Sequence, residues 1–390
     1  MRIGINALFL QQPATGIGQH LYHLLQGLDE ADRENIYVLL SPRFHKPTTT
    51  RIPELSSRFH NVQGVSALAR LGENFEKLWW EQVGLLQACR REKLDLLHCP
   101  YFASPILSSI PTVVTIHDVI PLLLPEYSAH LAGRAYTWLS ALAARRARAV
   151  IAVSECSKRD IVRTLGLPAE RVHVIGNAVD PSYQPVRDPR LLSSVRERYN
   201  LGERFILYFG GFDVRKNVHR LIKAYDRIRE KFDEPHQLVL AGRFRLVAHR
   251  LYPDPRVLVR ELGLESDVIF TGQIREQDKA PLYSAATVFA FPSLYEGFGM
   301  PVLEAMACGA PVVTSNSSAL PEVAGDAAVL VDPEDVTAIG EAILGLVQDP
   351  ARRAALGAAA RARAAHFSWS AVAAQTLEVY SQAAGERATP

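Results

Sequence analysis

The chain alternates short β-branched or apolar runs with longer stretches of helical periodicity, and it does so twice, in two series separated by a proline-containing interruption. Short apolar runs separated by helices suit parallel strands, because parallel neighbours need a crossover long enough to cover the sheet. The first series is expected at Ile3–Ala7, Ile36–Leu40, Leu94–His98, Val113–Ile116, Val150–Val153 and Val172–Ile175. The second is expected at Phe205–Phe209, Leu238–Ala241, Val268–Phe270, Val288–Phe291, Val312–Thr314 and Ala328–Val331. Between them, the polar stretch from Asn177 to Asp188, with Pro181, Pro185 and the following Pro189, reads as a linker. Two α/β domains in tandem follow, each a doubly wound parallel sheet, at 1–185 and 186–369. A length of 390 residues is too great for one ordinary core in any case. The Ala- and Arg-rich Pro350–Ala365 reads as exposed helix, and a last helix is expected near Ser370–Ala384.

Charge and cysteine usage narrow the function classes. A formal net charge of +2 gives no global field of the kind that nucleic acid attracts, so no nucleic-acid partner is expected. Cys89, Cys99, Cys156 and Cys308 are scattered without metal-type spacing, which favours buried thiols and a reducing cytoplasm over a zinc site or a disulfide framework. The N-terminus runs straight into a strand, so no secretory leader is expected. The best apolar stretch, Thr112–Leu124, is broken by His117, Asp118 and Pro121, short of the ~20 residues that a spanning helix needs. A cytoplasmic protein is expected, with peripheral contact at the inner membrane face open: Arg134, Arg145, Arg146 and Arg148 flank an apolar stretch with Trp138 and Leu142, and Trp79–Trp80 lie on another helix. A solvated helix is the simpler reading of that pattern.

Most of the chemistry sits in Leu294-Tyr-Glu-Gly-Phe-Gly-Met-Pro-Val-Leu-Glu-Ala-Met-Ala-Cys-Gly309. A β-prone run precedes it, Pro301 suits a first helical turn and Gly309 a helix stop, so the motif straddles a strand–loop–helix corner. Such a corner presents free N–H groups to a phosphate or to hydroxyl oxygens. Gly297 and Gly299 let the backbone approach a ligand, and Glu296 and Glu304 can each accept hydrogen bonds from a pair of hydroxyls. Leu207-Tyr-Phe-Gly-Gly-Phe-Asp-Val-Arg-Lys-Asn217 repeats the strand–glycine–helix pattern, with Arg215 and Lys216 placed to stabilise a diphosphate as its charge grows. Arg243 ends the next strand and is expected to converge there. Gly16 and Gly18, in Thr15-Gly-Ile-Gly18, are weaker candidates for backbone approach to a phosphate or sugar, and lack the three-glycine dinucleotide fingerprint. His117 ends an apolar strand and can hydrogen-bond a sugar hydroxyl; Asp118 beside it can cap the loop; His98 is a neighbour on the acceptor side. Two carboxylates are also what glycoside hydrolysis uses, but Glu304 lies inside the helix, where holding a vicinal diol suits it better. No Asp-x-Asp occurs, so no metal-chelated diphosphate and no cofactor are expected.

Glu296-Gly-Phe-Gly-Met-Pro-Val-Leu-Glu304 with Ala305-Met-Ala-Cys-Gly-Ala-Pro-Val-Val313, Arg215-Lys216-Asn217, Val153-Ser-Glu-Cys-Ser157, Val174-Ile-Gly-Asn-Ala-Val-Asp180 and Thr115-Ile-His-Asp118 occur here in one order. In these the chain resembles the retaining glycosyltransferases of family 4. The resemblance spans nearly the whole length and implies the GT-B fold, two Rossmann-like domains facing across a deep cleft, with a C-terminal helix at about 370–390 returning to the first. It implies that Glu296 and the backbone from Gly297 through Phe298 and Gly299 to Met300 lie by the donor sugar. Glu304 would then hold the ribose, Lys216 the diphosphate and Gly16 to Gly18 the phosphates, with His117 near the transferred sugar. Many relatives carry an arginine where this chain has Gly211, so Arg215 or Arg243 is expected to supply that charge. The Arg-Lys-Asn form, with Ser315-Asn-Ser-Ser-Ala-Leu-Pro-Glu322, looks most like the mannosyltransferases that build surface polysaccharides. The expected reaction is metal-independent hexosyl transfer with retention, from GDP-mannose to a glycan or lipid-linked acceptor, with His117, Glu296 and Lys216 as the catalytic group. A sugar-nucleotide epimerase of the same architecture is the alternative, and a non-catalytic sugar-nucleotide-binding subunit a third.

Overall fold

The computed structural model describes residues 1–13, 15–42, 52–64, 72–128, 131–244 and 250–385. The final residues of the expected return segment, 386–390, lie outside them. The chain packs as two compact units, one comprising Met1–Asn177 with the segment from Ser368 on, the other Ala178–Phe367. The first changeover thus falls at the start of the proline-containing stretch and not at 185/186.

Unit 1 is built on a parallel sheet of β1 (Arg2–Asn6), β2 (Ile36–Pro42), β3 (Phe59–Gly64), β4 (Leu96–Cys99), β5 (Thr112–Ile116), β6 (Ala149–Ala152) and β7 (Val172–Val174), in the order β3-β2-β1-β4-β5-β6-β7. Unit 2 is built on β8 (Phe205–Phe209), β9 (Gln237–Ala241), β10 (Val268–Gly272), β11 (Val288–Phe291), β12 (Val312–Ser315) and β13 (Val329–Val331), in the order β10-β9-β8-β11-β12-β13. The strands β4, β5, β6, β11 and β12 are buried at every position, which is why their sequences read as unbroken apolar runs. Strand β3 differs: it is an edge with one neighbour, and His60, Asn61 and Gln63 face solvent, so its sequence carries no such run.

In each sheet the chain moves outward on one side of its first strand, then returns to the other side. The order therefore reverses between β1 and β4 in unit 1, and between β8 and β11 in unit 2. At such a reversal the loops leaving the two strands diverge and open a crevice at the carboxyl ends.

Among the helices packed around these sheets are α1 (Gly16–Ala31), α2 (Leu131–Arg146), α3 (Glu155–Leu165), α4 (Val218–Ile228), α5 (Glu276–Ala285), α6 (Met300–Ala307), α7 (Pro350–Ala364) and α8 (Trp369–Ala384). Helix α6 has Pro301 in its first turn and Gly309, at φ +76°, just past its end. Helix α8 belongs to unit 1, where it packs along α1. The contact is close because position 27 is glycine: a Cβ there would stand 2.7 Å from the Trp369 carbonyl oxygen. Of the tryptophans singled out above, Trp138 is exposed on α2, whereas Trp80 is fully buried and donates its indole N–H to Asn6 Oδ1 over 3.2 Å. Trp80 is thus a core residue of unit 1 and cannot meet a lipid surface.

Candidate active site

The reversal between β8 and β11 brings together residues 80 apart in sequence. Beyond β8 the chain makes a single 3-10 turn, Val214–Lys216, and then Asn217 takes a left-handed conformation at φ +61° before α4 begins. Beyond β11 it runs through Ser293 to Glu296 and enters α6 at Gly299, φ +111°. Three donors converge on Glu296 Oε1: Lys216 Nζ at 2.7 Å, Ser293 Oγ at 2.7 Å and Arg215 Nη1 at 3.0 Å. Glu296 is buried and both cations are largely so. Burial alone would raise the Glu296 carboxyl, but the Lys216 ammonium and the Arg215 guanidinium, with hydrogen bonds from Lys216 and Ser293, hold it below the ordinary range. It is therefore an anion at neutral pH.

The backbone is laced around this cluster. Arg215 Nη1 donates to the Tyr295 carbonyl at 2.6 Å, and Leu294 N–H returns a bond to the Arg215 carbonyl at 2.8 Å. Asn217 Nδ2 donates to the carbonyls of Pro292 at 2.9 Å and Pro333 at 2.6 Å, fastening the β8 loop to two others. Ser318, itself at φ +57°, accepts from Glu296 N–H over 3.0 Å, and Ser315 donates to the Ser293 carbonyl over 2.6 Å. Asn217, Ser293 and Ser318 were not singled out as site residues in the sequence. The signal for Asn217 and Ser318 is present in the Arg-Lys-Asn and Asn-Ser-Ser strings, but it reads as family likeness until the loops are seen to meet; Ser293 lies in neither string.

The remaining candidates of unit 2 divide. Glu304, half-buried on α6, accepts from the Tyr283 hydroxyl of α5 over 2.9 Å. Burial pushes its carboxyl up to about 7, against the opposing pull of Lys279 and the Tyr283 hydroxyl. Gly299 is required by conformation and space, since a Cβ would meet Leu320 at 2.6 Å, and Gly297 and Met300 flank it in the same loop-to-helix turn. Phe298 points inward against Phe367, ring centroids 5.9 Å apart, so only its backbone is available to a ligand. Arg243 does not join the Glu296 group: it is exposed and its guanidinium donates to Gln273. The glycine before it has a plainer role, because a Cβ at Gly242 would lie 1.9 Å from the Gly210 carbonyl oxygen.

In unit 1, Thr15 caps α1, its hydroxyl accepting from Gly18 N–H at 3.1 Å. Gly18 is dictated by packing, as a Cβ would stand 2.4 Å from the Gln12 carbonyl oxygen, while Gly16 has open space around it. His117, at the end of β5, donates Nε2–H to the Pro100 carbonyl at 3.2 Å, which leaves Nδ1 with its lone pair. Its backbone carbonyl accepts from Ser157 Oγ of α3 at 3.3 Å, and Asp118 caps the following turn through Ile120 N–H at 3.0 Å. Burial pushes the imidazole down to about 4, so it is neutral at pH 7. His98 corrects the expectation of an acceptor contact. It is fully buried, with Nδ1 bonded to the Tyr380 hydroxyl at 2.7 Å and Nε2 to Thr115 Oγ1 at 2.8 Å, so neither nitrogen is free and its work is to tie β4 and β5 to α8.

The description "Glycosyltransferase Family 4" matches residues 14–183 and "Glycosyl transferases group 1" matches residues 193–363. The O-antigen chain mannosyltransferase B of Escherichia coli is 35% identical over 383 residues, covering 95% of this chain and 97% of the relative. Among solved structures, a sucrose-phosphate synthase (tll1590) from Thermosynechococcus elongatus superposes with a TM-score of 0.77 at 24% identity over 98% of each chain. Anabaena Alr3699/HepE in complex with UDP and glucose does so with a TM-score of 0.74 at 20% identity, over 98% of this chain and all of that one.

Proposed function

The chain belongs to the family 4 glycosyltransferases, and from that premise we propose that it moves a mannosyl unit from GDP-mannose to a glycan or lipid-linked acceptor with retention at the anomeric carbon. At the coarser level it is a hexosyltransferase of polysaccharide synthesis that takes a sugar nucleotide. The observation that carries the reading is the convergence of Lys216, Arg215 and Glu296 at the β8/β11 reversal, beside the start of α6. Likeness over nearly the full length to an O-antigen mannosyltransferase supports the choice of sugar.

Departure of the sugar leaves negative charge growing on the diphosphate. Two cations already ordered by Glu296, together with N–H groups where α6 begins, meet that charge without reorganising. They also make transfer independent of a divalent metal. Glu296 itself is an anion committed to two cations and a serine, so it is placed to hold sugar hydroxyls and to keep Lys216 in position. That role leaves no free nucleophile in the group, and favours attack on the face from which the diphosphate leaves, with the departing phosphate taking the acceptor proton. Glu304, which already accepts from Tyr283, is placed to accept from a ribose hydroxyl as well. His117, neutral, offers the lone pair of Nδ1 to a hydroxyl of the transferred sugar.

The test is a panel of GDP-, UDP- and ADP-sugars scored by thermal shift and by transfer, with and without EDTA, since the tightest binder stabilises most. GDP-mannose is expected to win with activity unchanged by EDTA; a clear win by a UDP-sugar removes the mannose assignment, and loss of activity in EDTA removes metal independence. Peripheral membrane contact through α2 is part of the same proposal, because Arg134, Trp138, Arg145 and Arg146 are exposed along it and Arg148 just beyond. Among the described residues, no helix is long and apolar enough to cross a membrane. Flotation with vesicles containing anionic lipid is expected, and its absence sinks that part alone.

A further inference from the structure

His20 has no part in the donor chemistry above, yet it links three places in unit 1. It lies in the second turn of α1, two residues beyond Gly18, and is buried. Its Nδ1–H donates to Asn177 Oδ1 over 2.8 Å. Asn177 is the residue at which the chain leaves this unit. The same imidazole stands perpendicular to that of His117, with centroids 4.8 Å apart and planes at 84°. The chain comes back at Ser368, and the next residue, Trp369, meets His20 at 5.5 Å and stacks on His23 at 5.3 Å. One helix thus holds both points at which the chain crosses between units, and one imidazole on that helix connects the outgoing point to His117.

The choice of histidine follows from what position 20 must do. A phenylalanine could keep the perpendicular ring contact but could not donate to Asn177, and an asparagine could donate but would remove the ring. Imidazole does both, provided that it stays uncharged beside another imidazole. Its surroundings meet that condition: burial and the neighbouring His117, His98 and His23 hold it well below the ordinary histidine value, against a smaller opposing contribution from Asn177. Trp369, from α8, adds no charge. The His117 ring is held through Nε2 by the Pro100 carbonyl and its backbone carbonyl by Ser157, and the perpendicular ring of His20 limits a further direction in which the imidazole could turn.

We propose that His20 is a positioning residue for His117, fixing the orientation and tautomer of that ring and tying it to the chain crossing at Asn177. The proposal rests on His117 lying by the transferred sugar, but its first readout does not. In histidine-labelled protein, nitrogen NMR is expected to show His117 as a single Nε2–H tautomer in the wild type and as a tautomer mixture in His20→Phe. The accompanying kinetics should show kcat down about tenfold, from misplacement of a group near the reacting carbon, with the donor KM little changed. An unchanged tautomer together with an unchanged kcat overturns the proposal and leaves His20 as packing. Asn177→Asp guards against mere destabilisation in the first variant. The new carboxylate should hold His20 as a cation near neutrality and give the kcat–pH profile an ionisation that the wild type lacks; a titrating His20 without that new limb also overturns it. If the wild type neither transfers nor hydrolyses any sugar nucleotide, the donor reading falls, while the tautomer signals still decide the positioning role.

Discussion

The crevice of unit 2 and the histidine group of unit 1 solve the same problem of holding polar groups out of water, and they do it in opposite ways. At the β8/β11 reversal, charges are kept: an anionic Glu296 is locked between Lys216 and Arg215, all three mostly out of solvent. At the end of β5, charges are excluded: His20, His98 and His117 are held neutral by burial, and each is satisfied by an amide, a hydroxyl or a carbonyl. Under the proposed function, the difference matches two chemical tasks. A leaving diphosphate needs fixed positive charge that costs no reorganisation, whereas a neutral sugar needs donors and acceptors that do not compete with that charge.

The strongest way to break this comparison is to remove charge from unit 2. Lys216→Ala and Glu296→Ala are each expected to lower kcat by about 10²-fold or more in a transfer assay. They should differ in stability, because Glu296→Ala leaves two mostly buried cations facing each other, and losing one member of such a cluster costs about 3 kcal/mol. Urea unfolding separates the two. If both variants keep near wild-type turnover, the charged crevice is not the donor site.

Next in size is the backbone lacing. Asn217→Ala removes the partner of two buried carbonyls and puts alanine at φ +61°, a combination expected to cost about 2–3 kcal/mol and to loosen the β8 loop. Asn217→Gly restores the backbone freedom but not the bonds, so it should recover only part. Equal stability of all three proteins in denaturant would show that the latch contributes nothing.

How far these features could be read beforehand follows from range. Strands such as Phe205–Phe209 and Val288–Phe291 coincide with their expected limits because two-sided burial writes itself as a local apolar run. The edge strand Phe59–Gly64 escaped because its stability comes from pairing with β2, which no local pattern records. Among the candidate site residues, Glu296 and Lys216 are legible as charged residues beside glycine turns. Their direct contact, and the use of Asn217 and Ser318 to enforce it, depend on loops that only the sheet order brings together. His98 and Arg243 were read from strand-end position alone. Position does not say whether a side chain turns inward, as His98 does to reach Tyr380, or outward, as Arg243 does to reach Gln273.

A smaller effect tests whether unit 2 keeps its charge at all pH values. Burial pushes the Glu304 carboxyl up to about 7, so its charged form, the better acceptor for a hydroxyl, becomes the majority form only above neutrality. Donor affinity is expected to rise about tenfold from pH 6 to pH 8 and level off, the slope set by one proton per carboxylate. Stability of the free protein should move the other way. The native carboxyl holds its proton to higher pH than the ordinary 4.5, so this group's contribution is present at low pH and is lost as pH rises through about 7. Glu304→Gln should flatten both curves in calorimetric titrations, and a donor affinity that stays pH-dependent in that variant points to another group.

The smallest effect on activity is expected from the buried histidine of unit 1. With both His98 nitrogens occupied by Tyr380 and Thr115, Tyr380→Phe leaves one nitrogen without its partner but takes nothing from the surface. Stability should fall by about 1 kcal/mol, the usual net worth of one buried neutral hydrogen bond, and the loss should appear as faster exchange of amides where α8 packs on α1. The acceptor KM should stay within about twofold, since a group with no exposure contributes to binding only through the shape of its neighbours. His98→Asn, which keeps polarity but not reach, should lower stability further and still spare the acceptor KM. A large rise in acceptor KM in either variant, with the fold retained, would return His98 to the acceptor side and remove the contrast between a charged crevice and a neutral core.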